Sequence, residues 1–172
     1  TLVRADDLAF EAAATYGASF RPALERAWIG GRVPVVSNER FSGFPLSGGC
    51  DSKAIADRLA ATFGSARVLV VVREQVSMIL SNYLQYLRDG GTATIRRFLR
   101  PPRALATRRP VFRPEFYRYV DLVRYYARLF GRPNVLVLPY EQFGAEPEPF
   151  VRRVFEHCGL DADAVATAGL AF

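Results

Sequence analysis

Two side chains have the types and spacing to grip an anion: Arg73, which follows the apolar run Val68 to Val72, and Ser81, eight positions later in a helix-patterned stretch. A guanidinium donates two parallel hydrogen bonds to a phosphate or sulfate, and a hydroxyl adds another donor, so the pair suits a phosphate monoester. With Val76 as the first helical residue, Ser81 lies about 7 Å up the axis, within reach of an arginine from the strand end. Ser77 shares its face by i, i+4 spacing. Val76, Leu80, Tyr83, Leu84 and Leu87 form the opposite stripe, which the pattern predicts to be buried. The competing reading pairs Arg73 with Glu74 or Asp89 on the surface and leaves Ser81 solvated.

The elements that must position these residues follow from the rest of the chain. Its 172 residues, half of them apolar, fit one domain with a sizeable core. Val33 to Ser37, Arg67 to Val72 and Asn134 to Leu138 are short apolar, β-branched runs that read as buried strands. Helical patterns lie between and around them: Asp6 to Tyr16, Arg21 to Ile29, Lys53 to Phe63 with Ser52 as its cap, Val76 to Arg88, Glu115 to Phe130, and Glu148 to Cys158. Strands joined by helical crossovers imply an α/β fold, a parallel sheet flanked by helices, with ligands at the carboxyl ends of the strands. Arg73 falls at such an end.

The formal charge of +6 calls for an anionic partner: a nucleotide, a phosphorylated or sulfated substrate, nucleic acid or a membrane surface. Lys53 is the only lysine, so nearly all of the positive charge is arginine. Cys50 and Cys158 have neither metal-ligand spacing nor a disulfide framework around them, and read as two free thiols. No apolar run approaches the roughly 20 residues a membrane helix requires, and the expectation is a soluble, cytoplasmic chain.

"VVVREQ" followed by "SNYLQYLRDGG", preceded by "VVSNERFSG" and "IADRLAATFGSARVLV" and followed by "LVRYYARLFGRPNVLVLPYEQF", resembles the sulfotransferases that use 3′-phosphoadenosine 5′-phosphosulfate (PAPS), bacterial ones above all. The resemblance runs in order over residues 33 to 160. It implies a P-loop-kinase-like sulfotransferase fold and transfer of a sulfuryl group from PAPS to a hydroxyl of a carbohydrate, lipid or other small acceptor. It leaves adenosine 3′,5′-bisphosphate (PAP) as the spent nucleotide, involves no metal, and places Arg73 and Ser81 on the nucleotide's 3′-phosphate. Nucleic acid is not the expected partner. The family's other nucleotide element, a Lys or Arg followed by Ser, Gly and Thr after the first strand, has no counterpart here, and Lys53 sits too far along to serve. The expectation is a domain incomplete at both termini, part of a longer enzyme.

A second signal competes. "SGGCDS", Ser47 to Ser52, resembles the pyrophosphate loop of ATP-dependent adenylating enzymes such as asparagine synthetases, in which glycines let backbone amides approach phosphate. The apolar run ends at Ser37, however, too far back for a tight strand-to-loop turn, and a loop capped into a helix is the alternative. Glu39, just past Val33 to Ser37, is the favoured base, at a place where related carbohydrate sulfotransferases carry an acid; the alternative pairs it with Arg40 on the surface. Glu74 is a second choice that better suits orienting Arg73 or capping the helix. His157, the only histidine, falls near a helix end, where a cation suits the dipole. Residues 95 to 113 hold seven arginines; Arg96, Arg97, Arg100, Arg108 and Arg109 are candidates for an anionic acceptor, with Phe98 and Phe112 available to stack on a sugar or base. A non-catalytic polyanion-binding domain would use the same arginines.

Overall fold

The computed structural model describes residues 2–3, 9–100 and 112–163. Helix α1 (Ala12–Thr15) passes through a π-helical turn into α2 (Arg21–Ile29), and an extended stretch leads to a 3-10 turn at Glu39–Ser42. Then follow α3 (Ser52–Phe63), β1 (Val68–Val72), α4 (Gln75–Arg88), α5 (Ile95–Leu99), α6 (Tyr119–Phe130), β2 (Val135–Pro139), α7 (Tyr140–Ala145) and α8 (Pro147–Cys158). β1 and β2 pair in parallel, Val68 opposite Val135 and Val72 opposite Pro139, which is the predicted α/β arrangement of a parallel sheet flanked by helices.

The two strands form because β-branched runs favour extended backbone, and the long α4-to-α6 crossover lets them lie parallel. α3 and α6 pack together and bring Ile55, Ala56, Leu59, Tyr126 and Phe130 into one core, with Val68 and Val135 against it. Burial pushes the Tyr126 hydroxyl up to about 12, and it donates to Phe41 O at 2.8 Å.

Several elements differ from the sequence expectation. Val33 to Ser37 is extended but joins no ladder, and Val35 is 79% exposed. Pro34 removes a donor from the middle of this run, which disfavours an interior strand. β1 is covered on one face only, since Leu69 and Val71 on the opposite pleat are exposed. The apolar stripe of α4 is exposed too: Val76, Leu80, Leu84 and Leu87 face outward, while Ile79, Asn82, Tyr83 and Tyr86 are half-buried. The helix is turned by its aromatic side chains, Tyr83 and Tyr86 both lying against Phe98. The predicted helix from Glu115 is broken at Arg118, so a 3-10 turn (Pro114–Tyr117) precedes α6. Ser52 does not cap α3: its hydroxyl donates to Ser42 O at 2.8 Å.

These contacts separate core from surface energetically. Ile55→Ala should lose about 2–5 kcal/mol in urea unfolding, the cost of a buried cavity, whereas Leu80→Ala on the outward stripe should stay within about 0.5 kcal/mol. Equal losses would mean that the α4 stripe is covered in solution.

Candidate functional site

Because Val72 lies opposite Pro139, the next residue on each strand emerges at the same end of the sheet, and Arg73 meets Tyr140. The Arg73 guanidinium stands 5.5 Å from the centre of the Tyr140 ring and makes no salt bridge among the described residues. Glu74 follows and turns its carboxylate onto the first turn of α4, accepting from Val76 N and Ser77 N, each at 2.7 Å. The Ser77 hydroxyl donates to Glu74 O at 2.9 Å. Those backbone donors, Ser77 first and Val76 next, hold the Glu74 carboxyl below its ordinary value.

Glu141, at the start of α7, reaches across from β2 and accepts the Glu74 backbone N–H at 2.8 Å. That hydrogen bond holds its own carboxyl below the ordinary range, and the Arg73 charge acts in the same direction. From α6, the Tyr119 hydroxyl is buried, lacks a well-formed hydrogen bond and lies by the Arg73 backbone. Desolvation raises its pKa.

Ser81 is exposed on α4, and no hydrogen bond joins it to Arg73 among the described residues. The surface pairing considered for Arg73 does not form either, since Glu74 caps the helix and Asp89 accepts from Gln85. Glu39 is exposed in its 3-10 turn and has no ion pair among the described residues; Arg40 bonds Asp51 at 3.3 Å instead and lies 4.0 Å over Phe44. His157 sits in the last turn of α8, but the cation on that helix end is Arg67, which donates to His157 O at 2.5 Å. Lys53 is held by Asp57 on α3. α3 also borders an open cleft of about 400 Å³ with Phe10, Cys50 and Arg58, built from none of the strand-end residues.

The glycine-rich loop is closed on itself. The amides of Ser47, Gly48, Gly49 and Ser52 all bond within it, and Asp51 accepts from Phe44 N at 2.8 Å. Gly49 has φ of +68°, and a Cβ there would lie 2.3 Å from the Phe116 ring, so this glycine serves packing rather than approach to phosphate. Phe98 is buried among Tyr83, Tyr86 and Phe112, which takes it out of the stacking role expected of it, while Phe112 is half-buried against Phe98 and Tyr117. Arg96, Arg97 and Arg100 are exposed and have no carboxylate partner among the described residues; Arg108 and Arg109 lie outside the described residues. No group of three or more His, Cys, Asp and Glu side chains that could hold a metal occurs among the described residues, nor is any helix there long and apolar enough to cross a membrane.

Sequence reasoning missed Tyr119, Tyr140 and Glu141. The strand register would have found the last two, because aligning the apolar runs end to end sets Arg73-Glu74 beside Tyr140-Glu141.

The sequence pattern described as the sulfotransferase family matches residues 54–164, and the chain belongs to that family. No curated protein sequence matches it. The crystal structure of a sulfotransferase from Alicyclobacillus acidocaldarius is similar, at 25% identity and a TM-score of 0.55, covering 70% of this chain and 51% of that one. The chain therefore has a P-loop-like sulfotransferase fold and spans about half the length of that relative. The family match begins after Glu39 and the glycine-rich loop.

Both strand-end carboxylates are depressed on folding, so the stability they contribute is present above the ordinary glutamate value of 4.5 and is lost as pH falls through their lower folded values. Glu74→Gln should flatten the decline in Tm between about pH 5 and pH 3 relative to the parent protein, measured by thermal melts across that range. An unchanged acid slope would show that the cap carries no such linkage.

Proposed function

We propose that this chain is the nucleotide-gripping part of a PAPS-dependent sulfotransferase, acting on a hydroxyl of a carbohydrate, lipid or other small acceptor. The observation that carries the reading is the state of Arg73. It stands at the carboxyl end of a parallel strand in a member of the sulfotransferase family, with no salt bridge among the described residues, while both neighbouring carboxylates are committed to backbone donors. An arginine in that state has its planar fork open to a phosphate.

The Glu74 carboxylate occupies the α4 N-terminus, so an anion held by Arg73 sits beside the helix rather than on its end. Ser81, further along α4, is exposed. In this reading Arg73 and Ser81 hold the 3′-phosphate of the nucleotide, which supplies an activated sulfuryl group when bound. Glu39, exposed and free of Arg40, takes the proton of the acceptor hydroxyl. Arg96, Arg97 and Arg100, with Arg108 and Arg109, favour an anionic acceptor, since no acidic residue interrupts the sequence between Asp89 and Glu115. The free Cys50 and Cys158 fit a reducing, cytoplasmic compartment.

The adenylating alternative is weakened, because the amides of Ser47, Gly48, Gly49 and Ser52 are bonded to nearby carbonyls rather than open to pyrophosphate. Titration calorimetry with PAP and with AMP tests the reading. Arg73→Ala should weaken PAP by roughly 10- to 100-fold, the worth of a charge-assisted hydrogen-bond pair, and leave AMP unchanged, with a smaller loss for Ser81→Ala. Equal affinity of the parent protein for both nucleotides would defeat the assignment.

A further inference from the structure

The ladder between β1 and β2 ends at Val72 and Pro139, and beyond it each chain turns into a helix. The peptide joining Arg73 to Glu74 has therefore lost its strand partner at the point where the site needs a fixed backbone. Two side chains from other elements meet it there. Glu141 accepts the Glu74 N–H at 2.8 Å, continuing the inter-strand link by one side-chain bond. The buried Tyr119 hydroxyl lies on the Arg73 backbone from α6.

We propose that Glu141 is a positioning residue for the nucleotide's 3′-phosphate: by holding the Glu74 amide, it fixes the backbone from which Arg73 projects. This rests on the reading of Arg73 as the phosphate ligand. Glu141 itself need not touch the nucleotide. Its Oε1 accepts the backbone N–H, and the neighbouring Tyr140 ring is what the guanidinium rests on.

Calorimetric titration of the full chain with PAP and AMP, alongside thermal melts, separates this role from a merely structural one. Glu141→Ala should weaken PAP about tenfold, the scale on which a displaced ligand group costs binding, and leave AMP unchanged. Glu141→Gln, whose amide oxygen can still accept the Glu74 N–H, should stay within about threefold of the parent. Because Glu141 acts through Arg73, the double variant Arg73→Ala/Glu141→Ala should bind PAP no worse than Arg73→Ala alone. Additive losses in the double variant would overturn the proposal, as would parent-like PAP binding by Glu141→Ala, or equal weakening of both nucleotides with a lowered Tm. If Arg73→Ala itself leaves PAP binding intact, the phosphate-site reading fails and this inference falls with it. Failure confined to the Glu141 variants leaves that reading standing.

Discussion

The parallel register of β1 and β2 is the constraint from which the candidate site follows. Five residues of each strand pair level, Val68 with Val135 through to Val72 with Pro139, so both chains leave the sheet at one edge and side by side. A parallel pair gives its strand ends to one side of the molecule, whereas an antiparallel pair would send them to opposite sides. Arg73, Glu74, Tyr140 and Glu141 therefore share a small region although the two pairs lie 67 positions apart in sequence. Had the strands slipped by one residue, the Glu74 amide would no longer meet Glu141, and the guanidinium would lose its ring.

That region holds two carboxylates and one guanidinium, and a charge count alone would make it poor at binding an anion. Hydrogen bonding changes the outcome. Glu74 spends its oxygens on Val76 N and Ser77 N, and Glu141 accepts Glu74 N, so both exposed carboxylates are anchored by backbone donors that favour the ionised form. Arg73 has no salt bridge among the described residues and sits over an aromatic face, an interaction worth about 0.5–1 kcal/mol at an exposed site. The group left open to a ligand is thus the cation.

Much of this was legible in the sequence, and the part that was not depends on contacts between distant residues. The bounds of β1, α2, α4 and α8 follow closely from apolar runs and their stop signals, because those are local properties. Val33 to Ser37 is rich in valine like β1 but finds no strand partner among the described residues, and Pro34 is the one local sign that sets it apart. The α4 stripe shows the same limit. Helical periodicity identifies Val76, Leu80, Leu84 and Leu87 as apolar, yet the side a helix buries is decided by its neighbours, here the ring cluster of Tyr83, Tyr86 and Phe98. The place of Arg73 at a strand end was legible because it depends only on the apolar run before it. Glu141 was not, because its partner is an amide on the other strand.

The two segments that suggested phosphate binding, "SGGCDS" and "VVREQVS", are separated by what their backbones have left to offer. A phosphate loop works through amides that point at the ligand and bond to nothing else. In the first segment Ser47, Gly48, Gly49 and Ser52 have already paired theirs, and the glycine conformations make room for a phenylalanine ring. The second segment satisfies the α4 start with its own Glu74, which removes the helix end as an anion site as well. In the proposed reading, anion recognition at this strand end comes from side chains, the Arg73 guanidinium and the Ser81 hydroxyl, because the Ser77 hydroxyl already donates to Glu74 O. A site built that way reads the shape and charge of a phosphate through an arginine's planar fork, and its geometry is only as good as the backbone that carries the arginine.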